Sequence, residues 1–147
     1  MTDKPTVLFV CVHNAGRSQM AAGFMRELSD GSVEVRSGGS EPGDQINRIA
    51  IAAMAEAGID ISQAVPQLMT TEQVRESDVV ITMGCGDSCP IFPGTRYEDW
   101  ELRDPAGLDL DEVRPIRDDI KRRVGALLED ITADQTARKQ RTERRRS

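Results

Sequence analysis

The chain of 147 residues is 38% hydrophobic and 3% aromatic and carries a net charge of −6. This length suits one domain with its own core, and the apolar content excludes a disordered chain. Residues 132–147 contain six Lys or Arg and two Asp or Glu, a local charge of +4, so the remaining residues carry −10. An acidic body lacks the basic surface that phosphate contacts need, so we expect no nucleic-acid partner.

Hydropathy and cysteine content further restrict the class of protein to which the chain can belong. No apolar run approaches the roughly 20 residues of a membrane span, and the polar start of the chain lacks the pattern of a signal peptide. We therefore expect no membrane partner and a cytoplasmic location. Three cysteines do not predict a disulfide framework in such a chain. One His without a Cys-x2-Cys pair argues against structural zinc, so we expect no bound metal.

Strand-like and helix-like patterns alternate along the chain. In chain order they predict a strand at Thr6–Cys11, a helix from about Arg17 to Leu28, a strand at Val33–Ser37, a helix over Ile46–Ala57, a short helix at Thr70–Glu76 capped by Thr70 or Thr71, strands at Asp78–Met83 and Tyr97–Trp100, a loop over Leu102–Asp111, and a final helix over Val113–Ile131. This alternation indicates an α/β fold with a doubly wound parallel sheet. We expect one domain over residues 1–131 and a basic, frayed tail over 132–147.

The segment between the first strand and the first helix has the form Cys-x5-Arg-Ser, from Cys11 to Ser18. A strand-to-helix turn directs backbone N–H groups inward, which makes an anion cradle and stabilises a thiolate. Arg17 offers a planar fork for two oxygens of an oxyanion, and Ser18 is placed to hydrogen-bond the sulfur. Asn14 and Gly16 suit a loop that needs left-handed backbone. The predicted oxyanion-binding residues are Val12, His13, Asn14, Ala15, Gly16 and Arg17. The alternative is a buried, inert cysteine that ends a strand.

A thiolate that displaces an oxygen needs an acid to protonate that oxygen. Asp104 is the best candidate, because an Asp-Pro pair in a loop places a carboxylate on stiffened backbone. The alternative is an ordinary turn aspartate. His13 is the only histidine, and it is either a base or a polar contact near the mouth of the site.

The loop and its continuation, Ser18-Gln19-Met20-Ala21, resemble the low-molecular-weight protein tyrosine phosphatase superfamily and, more closely, its arsenate reductase branch. The resemblance extends from Pro5 to Ile131 and includes Cys89-Pro90-Ile91, Asp104-Pro105-Ala106-Gly107 and Arg114-Pro115-Ile116-Arg117-Asp118-Asp119-Ile120. It implies a four-stranded parallel sheet with helices on both faces. It also implies that Cys11 attacks arsenic, that Arg17 binds the oxyanion, that Asp104 is the general acid, and that thiols reduce arsenate to arsenite.

The chain departs from the thioredoxin-coupled members of that branch at two positions. Ala22 stands where those members have an acidic residue that helps to hold potassium, so we expect no specific potassium site. Gly16 stands where they have a second cysteine inside the loop.

Two routes for arsenite release stay open. In thioredoxin-linked relatives two cysteines relay oxidation away from the nucleophile, and Cys85 and Cys89 are the candidates here, although their spacing is shorter and only Cys89 aligns through its proline. In the other route a thiol co-substrate, mycothiol or glutathione, takes the arsenic, and mycoredoxin or glutaredoxin releases arsenite. Neither route needs a bound cofactor.

Two other function classes compete with arsenate reduction. Phosphate and arsenate are nearly isosteric, so a low-molecular-weight protein tyrosine phosphatase is the alternative enzyme. The family's phosphatases place aromatic residues around the mouth, whereas this chain has one tyrosine, Tyr97, and none over Leu108–Asp111. A binding module that has lost its chemistry is the third class, and the intact set of Cys11, Arg17, Ser18 and Asp104 argues against it.

Overall fold

The computed structural model describes residues 4–83 and 94–146. Within these residues the chain forms one parallel sheet in the order β2-β1-β3-β4. Its strands are β1 (Thr6–Cys11), β2 (Glu34–Gly39), β3 (Val79–Met83) and β4 (Arg96–Asp99). β1 is central and apolar, as expected of a parallel strand that is covered on both faces.

The helices occur in the chain order that the sequence predicts, with one after β1, two between β2 and β3, and one after β4. They are α1 (Arg17–Ser29), α2 (Arg48–Glu56), α3 (Thr71–Glu76) and α4 (Leu110–Arg146). Thr70 caps α3 and forms a reciprocal pair of hydrogen bonds with Gln73, which confirms one of the two predicted caps. None of the helices within the described ranges combines the length and apolar composition of a bilayer-spanning segment.

The two faces of the sheet are covered unequally. The main core lies on the face that packs α1, α2 and α4, and a smaller cluster lies on the face that packs α3. Because side chains of a strand alternate between faces, Val7, Phe9 and Cys11 of β1 enter the main core while Leu8 and Val10 enter the smaller one. The predicted four-stranded, doubly covered α/β sheet is confirmed.

The element boundaries differ from the sequence predictions at β2 and at α4. Gly38 and Gly39, which lie beyond the predicted end of the strand at Ser37, are the last residues of β2. A Cβ at Gly39 would lie 2.7 Å from the carbonyl oxygen of Val12, so only glycine lets the strand pass so close to the neighbouring loop.

The last helix is longer at both ends than the sequence predicts. It begins at Leu110, where the Asp109 carboxylate accepts a hydrogen bond from the Glu112 N–H at 3.0 Å. It continues to Arg146, so the backbone of the tail expected to fray is helical. The tail contains no Gly or Pro between residues 132 and 146, and its Ala, Arg, Gln, Lys and Glu residues are good helix formers.

Candidate active site

The candidate nucleophile lies where the central strand leaves the sheet. Cys11 is the last residue of β1 and is 2% exposed. Strands β2 and β3 lie on either side of β1. The residues that follow Cys11 therefore enter the crevice at the carboxyl edge of the sheet, where ligands of open α/β sheets bind. Residues 12–16, here called the anion loop, then lead directly into α1.

The carbonyl groups of the anion loop face away from its centre. The N–H donors on the outside come from residues 41, 43, 47 and 20, and the acceptors are the carbonyls of Val12 (2.8 Å), His13 (2.9 Å), Ala15 (2.8 Å) and Gly16 (2.9 Å) respectively. A trans peptide directs the next N–H opposite to each carbonyl. The N–H groups of residues 13, 14 and 16, which follow the first three of these carbonyls, donate to no other residue in the described part of the chain. They are therefore available to an oxyanion at the helix N-terminus.

Arg17 is the first residue of α1, and its side chain is almost fully buried. Its Nη1 donates to the Leu102 carbonyl oxygen at 3.3 Å, and its Nη2 lies 3.7 Å from Asp104 Oδ2. The guanidinium is thus held between α1 and the loop that follows β4. The structure brings the predicted anion-binding arginine and the predicted acid together, although they are far apart in sequence.

Asp104 presents one carboxylate oxygen to the site and uses the other for its own backbone. Oδ1 accepts the Ala106 N–H at 3.0 Å, and Oδ2 faces Arg17. The side chain is 52% exposed, so it can exchange protons with solvent. The carboxyl is therefore oriented and accessible, as a general acid requires.

Pro105 lies against the anion loop at Gly16. A Cβ on Gly16 would meet Pro105 Cγ at 2.7 Å, so glycine allows the loop with Asp104 to lie close to the anion loop. The expected left-handed backbone is present at Asn14, with φ 50°, but Gly16 has φ −138°. The reason predicted for Gly16 is therefore wrong, and its role is to give Pro105 room.

Ser18 Oγ lies 2.9 Å from Cys11 Sγ, as predicted from the sequence. Asn14 Nδ2 donates to the same Ser18 oxygen at 2.7 Å, and all three side chains are buried. His13, by contrast, is exposed at the rim, where its Nδ1 lies 2.9 Å from the Glu41 carbonyl oxygen. Because a carbonyl can only accept, Nδ1 carries the proton in this contact.

The structure does not describe one part of the predicted site, and it adds two contacts that were not predicted. Cys85 and Cys89, the possible relay, lie outside the described residues. Two glutamines that the sequence analysis did not select contact the site: Gln19 donates to Asn14 from within α1, and the backbone N–H of Gln67 donates to Asn14 Oδ1. The signal for Gln19 was its place in the first turn of a helix, where Glu and Gln side chains reach back to the preceding loop.

The family model for low molecular weight phosphotyrosine protein phosphatases matches residues 6–138. The chain belongs to this family. Among its relatives, a putative arsenate reductase of Halobacterium salinarum is 39% identical over 86% of this chain and 92% of the relative. An arsenate reductase of Staphylococcus xylosus is 41% identical over 81% of this chain and 92% of the relative.

Solved structures agree with this assignment. The thioredoxin-dependent arsenate reductase of Corynebacterium glutamicum superposes with a TM-score of 0.78 at 43% identity, over 89% of this chain. This chain spans 63% of the length of that protein. An arginine phosphatase of Geobacillus stearothermophilus has a TM-score of 0.76 at 24% identity, a likeness that shows the fold alone.

Proposed function

We propose that this chain is an arsenate reductase. The observation that carries the proposal is the combination at one sheet edge of a buried cysteine, an inward-facing ring of N–H groups, and an Arg17–Asp104 pair 3.7 Å apart. This set can bind a small tetrahedral oxyanion and protonate one of its oxygens. The arsenate reductases at 39–43% identity support arsenate as that oxyanion.

In the first step the Cys11 thiolate attacks arsenic. A sulfur–arsenic bond forms and an arsenic–oxygen bond breaks. The departing oxygen is a hydroxyl of arsenate, which takes one proton from Asp104 and leaves as water, while Arg17 and the N–H groups of the anion loop hold the other oxygens. Ser18 hydrogen-bonds the sulfur throughout. Arsenic remains in the +5 state at the end of this step.

The second step reduces arsenic and consumes two thiols. In an internal relay, a thiolate of Cys85 or Cys89 attacks Cys11 Sγ, so that a disulfide forms and the sulfur–arsenic electron pair passes to arsenic, which leaves as arsenite. The remaining cysteine then resolves that disulfide, and thioredoxin reduces the product. In the external route mycothiol or glutathione takes the arsenic from Cys11, and mycoredoxin or glutaredoxin attacks that small thiol's sulfur and releases arsenite. The thioredoxin-dependent relative supports the first route.

The nucleophile is tested by Cys11→Ser in an arsenate-reduction assay with excess thiol donors. We expect turnover to be lost, because a serine hydroxyl does not ionise near neutral pH and is a weaker nucleophile towards arsenic than a cysteine thiolate. Retained turnover would refute the assignment. Gly125→Ala in α4 is the control, since an added Cβ there meets nothing within 4 Å and the three cysteines and the anion loop are unchanged.

The electron donor is tested by comparing two reducing systems. Thioredoxin with its reductase is compared with mycothiol plus mycoredoxin, on the wild-type protein and on Cys89→Ser. The internal relay predicts turnover with thioredoxin that Cys89→Ser abolishes. Full activity of Cys89→Ser with thioredoxin would exclude that relay, and turnover with mycothiol plus mycoredoxin but not with thioredoxin would establish the external route.

Phosphotyrosine hydrolysis is the competing activity, because the family model bears that name. Tyr97 lies in β4 and packs with Leu8 and Val10 on the face of the sheet that α3 covers. Trp100 lies in the main core and stacks obliquely on Phe9. Neither ring forms a wall for a phosphotyrosine ring. We expect low turnover of aryl phosphates, and kcat/KM for an aryl phosphate above that for arsenate would reverse the choice.

A further inference from the structure

A buried amide lies directly behind the nucleophile and has no part in the steps above. Gln19 is the third residue of α1 and is 3% exposed. Its Nε2 lies 3.1 Å from the Asn14 carbonyl oxygen and 3.0 Å from Asn14 Oδ1. The amide nitrogen therefore donates its hydrogen bonds to Asn14, the loop residue whose side chain contacts Ser18.

Two backbone groups fix the orientation of these amides without ambiguity. The Gln67 N–H can only donate, and it lies 2.9 Å from the side-chain oxygen of Asn14, so that atom is the oxygen. The Asn14 carbonyl can only accept, so the Gln19 atom beside it is the nitrogen. Asn14 is thereby obliged to present its NH2 group to Ser18 Oγ, at 2.7 Å.

This orientation determines the direction of the hydrogen bond at the sulfur. Ser18 has one hydroxyl hydrogen, and its oxygen already accepts from Asn14. Among the residues that the structure describes, its other hydrogen-bonding neighbour is Cys11 Sγ, at 2.9 Å. Because the described residues offer it no other acceptor, the hydroxyl hydrogen points to the sulfur, where it stabilises an anion.

We propose that Gln19 is a positioning residue for the nucleophile: it holds Asn14 in the orientation that makes Ser18 a donor to Cys11. The proposal deepens the proposed function, since it concerns the same sulfur. Its test uses alkylation, which needs no arsenate, so a wrong substrate and a wrong role for Gln19 give different results.

The experiment measures the pH dependence of Cys11 alkylation by iodoacetamide in a Cys85→Ser/Cys89→Ser background, where Cys11 is the remaining thiol. Gln19→Glu places an acceptor beside two Asn14 oxygens, which favours rotation of the Asn14 amide. Asn14 Oδ1 would then accept the Ser18 hydroxyl hydrogen. We expect the midpoint of the alkylation profile to rise by about one pH unit, the effect of losing a hydrogen bond to a charged atom.

Gln19→Met is the matched variant, because it keeps the length of the side chain and adds no charge. Gln67 still anchors Asn14 Oδ1 in this variant, so we expect a smaller rise than for Gln19→Glu. Each protein is first checked for a native circular dichroism spectrum. If Gln19→Glu does not fold, the rise in Gln19→Met and its loss on removal of the Ser18 hydroxyl carry the test.

A double-mutant cycle separates this pathway from a direct charge effect. In a Ser18→Ala background the hydroxyl is absent, so Gln19→Glu should no longer shift the midpoint. A shift of the same size with and without Ser18 would show that the new charge acts through space and would overturn the proposal. An unchanged midpoint in the single variants would overturn it as well.

Discussion

Gly16→Ala tests whether the close approach of Pro105 positions the acid. The new Cβ would lie 2.7 Å from Pro105 Cγ, and ordinary contact begins at 3.4 Å. The anion loop and the segment with Pro105 must therefore separate by about 0.7 Å. Pro105 is the neighbour of Asp104, and the acid moves with it. Because a displacement of about 1 Å can cost about a hundredfold in rate, we expect kcat/KM for arsenate to fall about 10- to 100-fold.

The assay is arsenate reduction under the donor system that supports the wild-type protein, together with alkylation of Cys11. Gly125→Ala is the matched control, because nothing lies within 4 Å of a Cβ there, and alanine favours a helix. We expect the control to keep full activity. In an Asp104→Asn background Gly16→Ala should cost little more, since both changes act on one proton transfer. A folded Gly16→Ala protein with kcat/KM within about twofold of wild type would refute the reasoning.

Three further predictions concern Asp104, Gly39 and Glu56. Asp104→Asn should lower kcat about 10²- to 10⁴-fold while the nucleophile alkylates at its normal rate, and an unchanged kcat would remove Asp104 from the mechanism. Gly39→Ala should lower both Tm and activity, because its Cβ would lie 2.7 Å from a carbonyl oxygen of the anion loop, and a wild-type Tm would contradict this. Hydrogen bonds from Arg114 and Arg117 hold the pKa of Glu56 at about 2, below its ordinary 4.5. Its ion pairs therefore stabilise the fold fully above about pH 4.5, and the contribution is lost as the pH falls towards 2. The Tm difference between the wild-type protein and Glu56→Gln should narrow over that range, and a constant difference would refute the link.

The order of strands and helices could be predicted because local pattern decides it. β1 is an unbroken apolar run, and α1 repeats its apolar residues at helical spacing. The end of β2 could not be predicted in this way. Gly38 and Gly39 have weak strand propensity, but they pair with Val10 and Cys11 of β1. Close neighbours, including Met69 and Val12, leave no room for a side chain at these positions.

The site was predictable to the extent that its residues lie in one short segment. Cys11, Arg17 and Ser18 have the positions that their spacing indicated, because a strand–loop–helix turn fixes them locally. Asp104 was predicted from its Asp-Pro pair and from the family resemblance. Its distance from Arg17 depends on the fold of the whole chain. Gln19 was missed because its place in the first turn of α1 indicates a contact with the preceding loop but not which atoms of Asn14 it contacts.

The candidate site has a buried half and an exposed half, and this division bears on the second step of the proposed reaction. The side chains of Asn14, Ser18 and Gln19 behind the sulfur are at most 3% exposed, so no thiol can approach from that direction. Asp104 and His13, on the rim, are exposed. Among the described residues the exposed side of the site is this rim, so we expect an external thiol that attacks either the arsenic or the sulfur to arrive there. The rim also carries Asp104, the acid that we propose for the first step, so an external thiol would approach beside the proton donor.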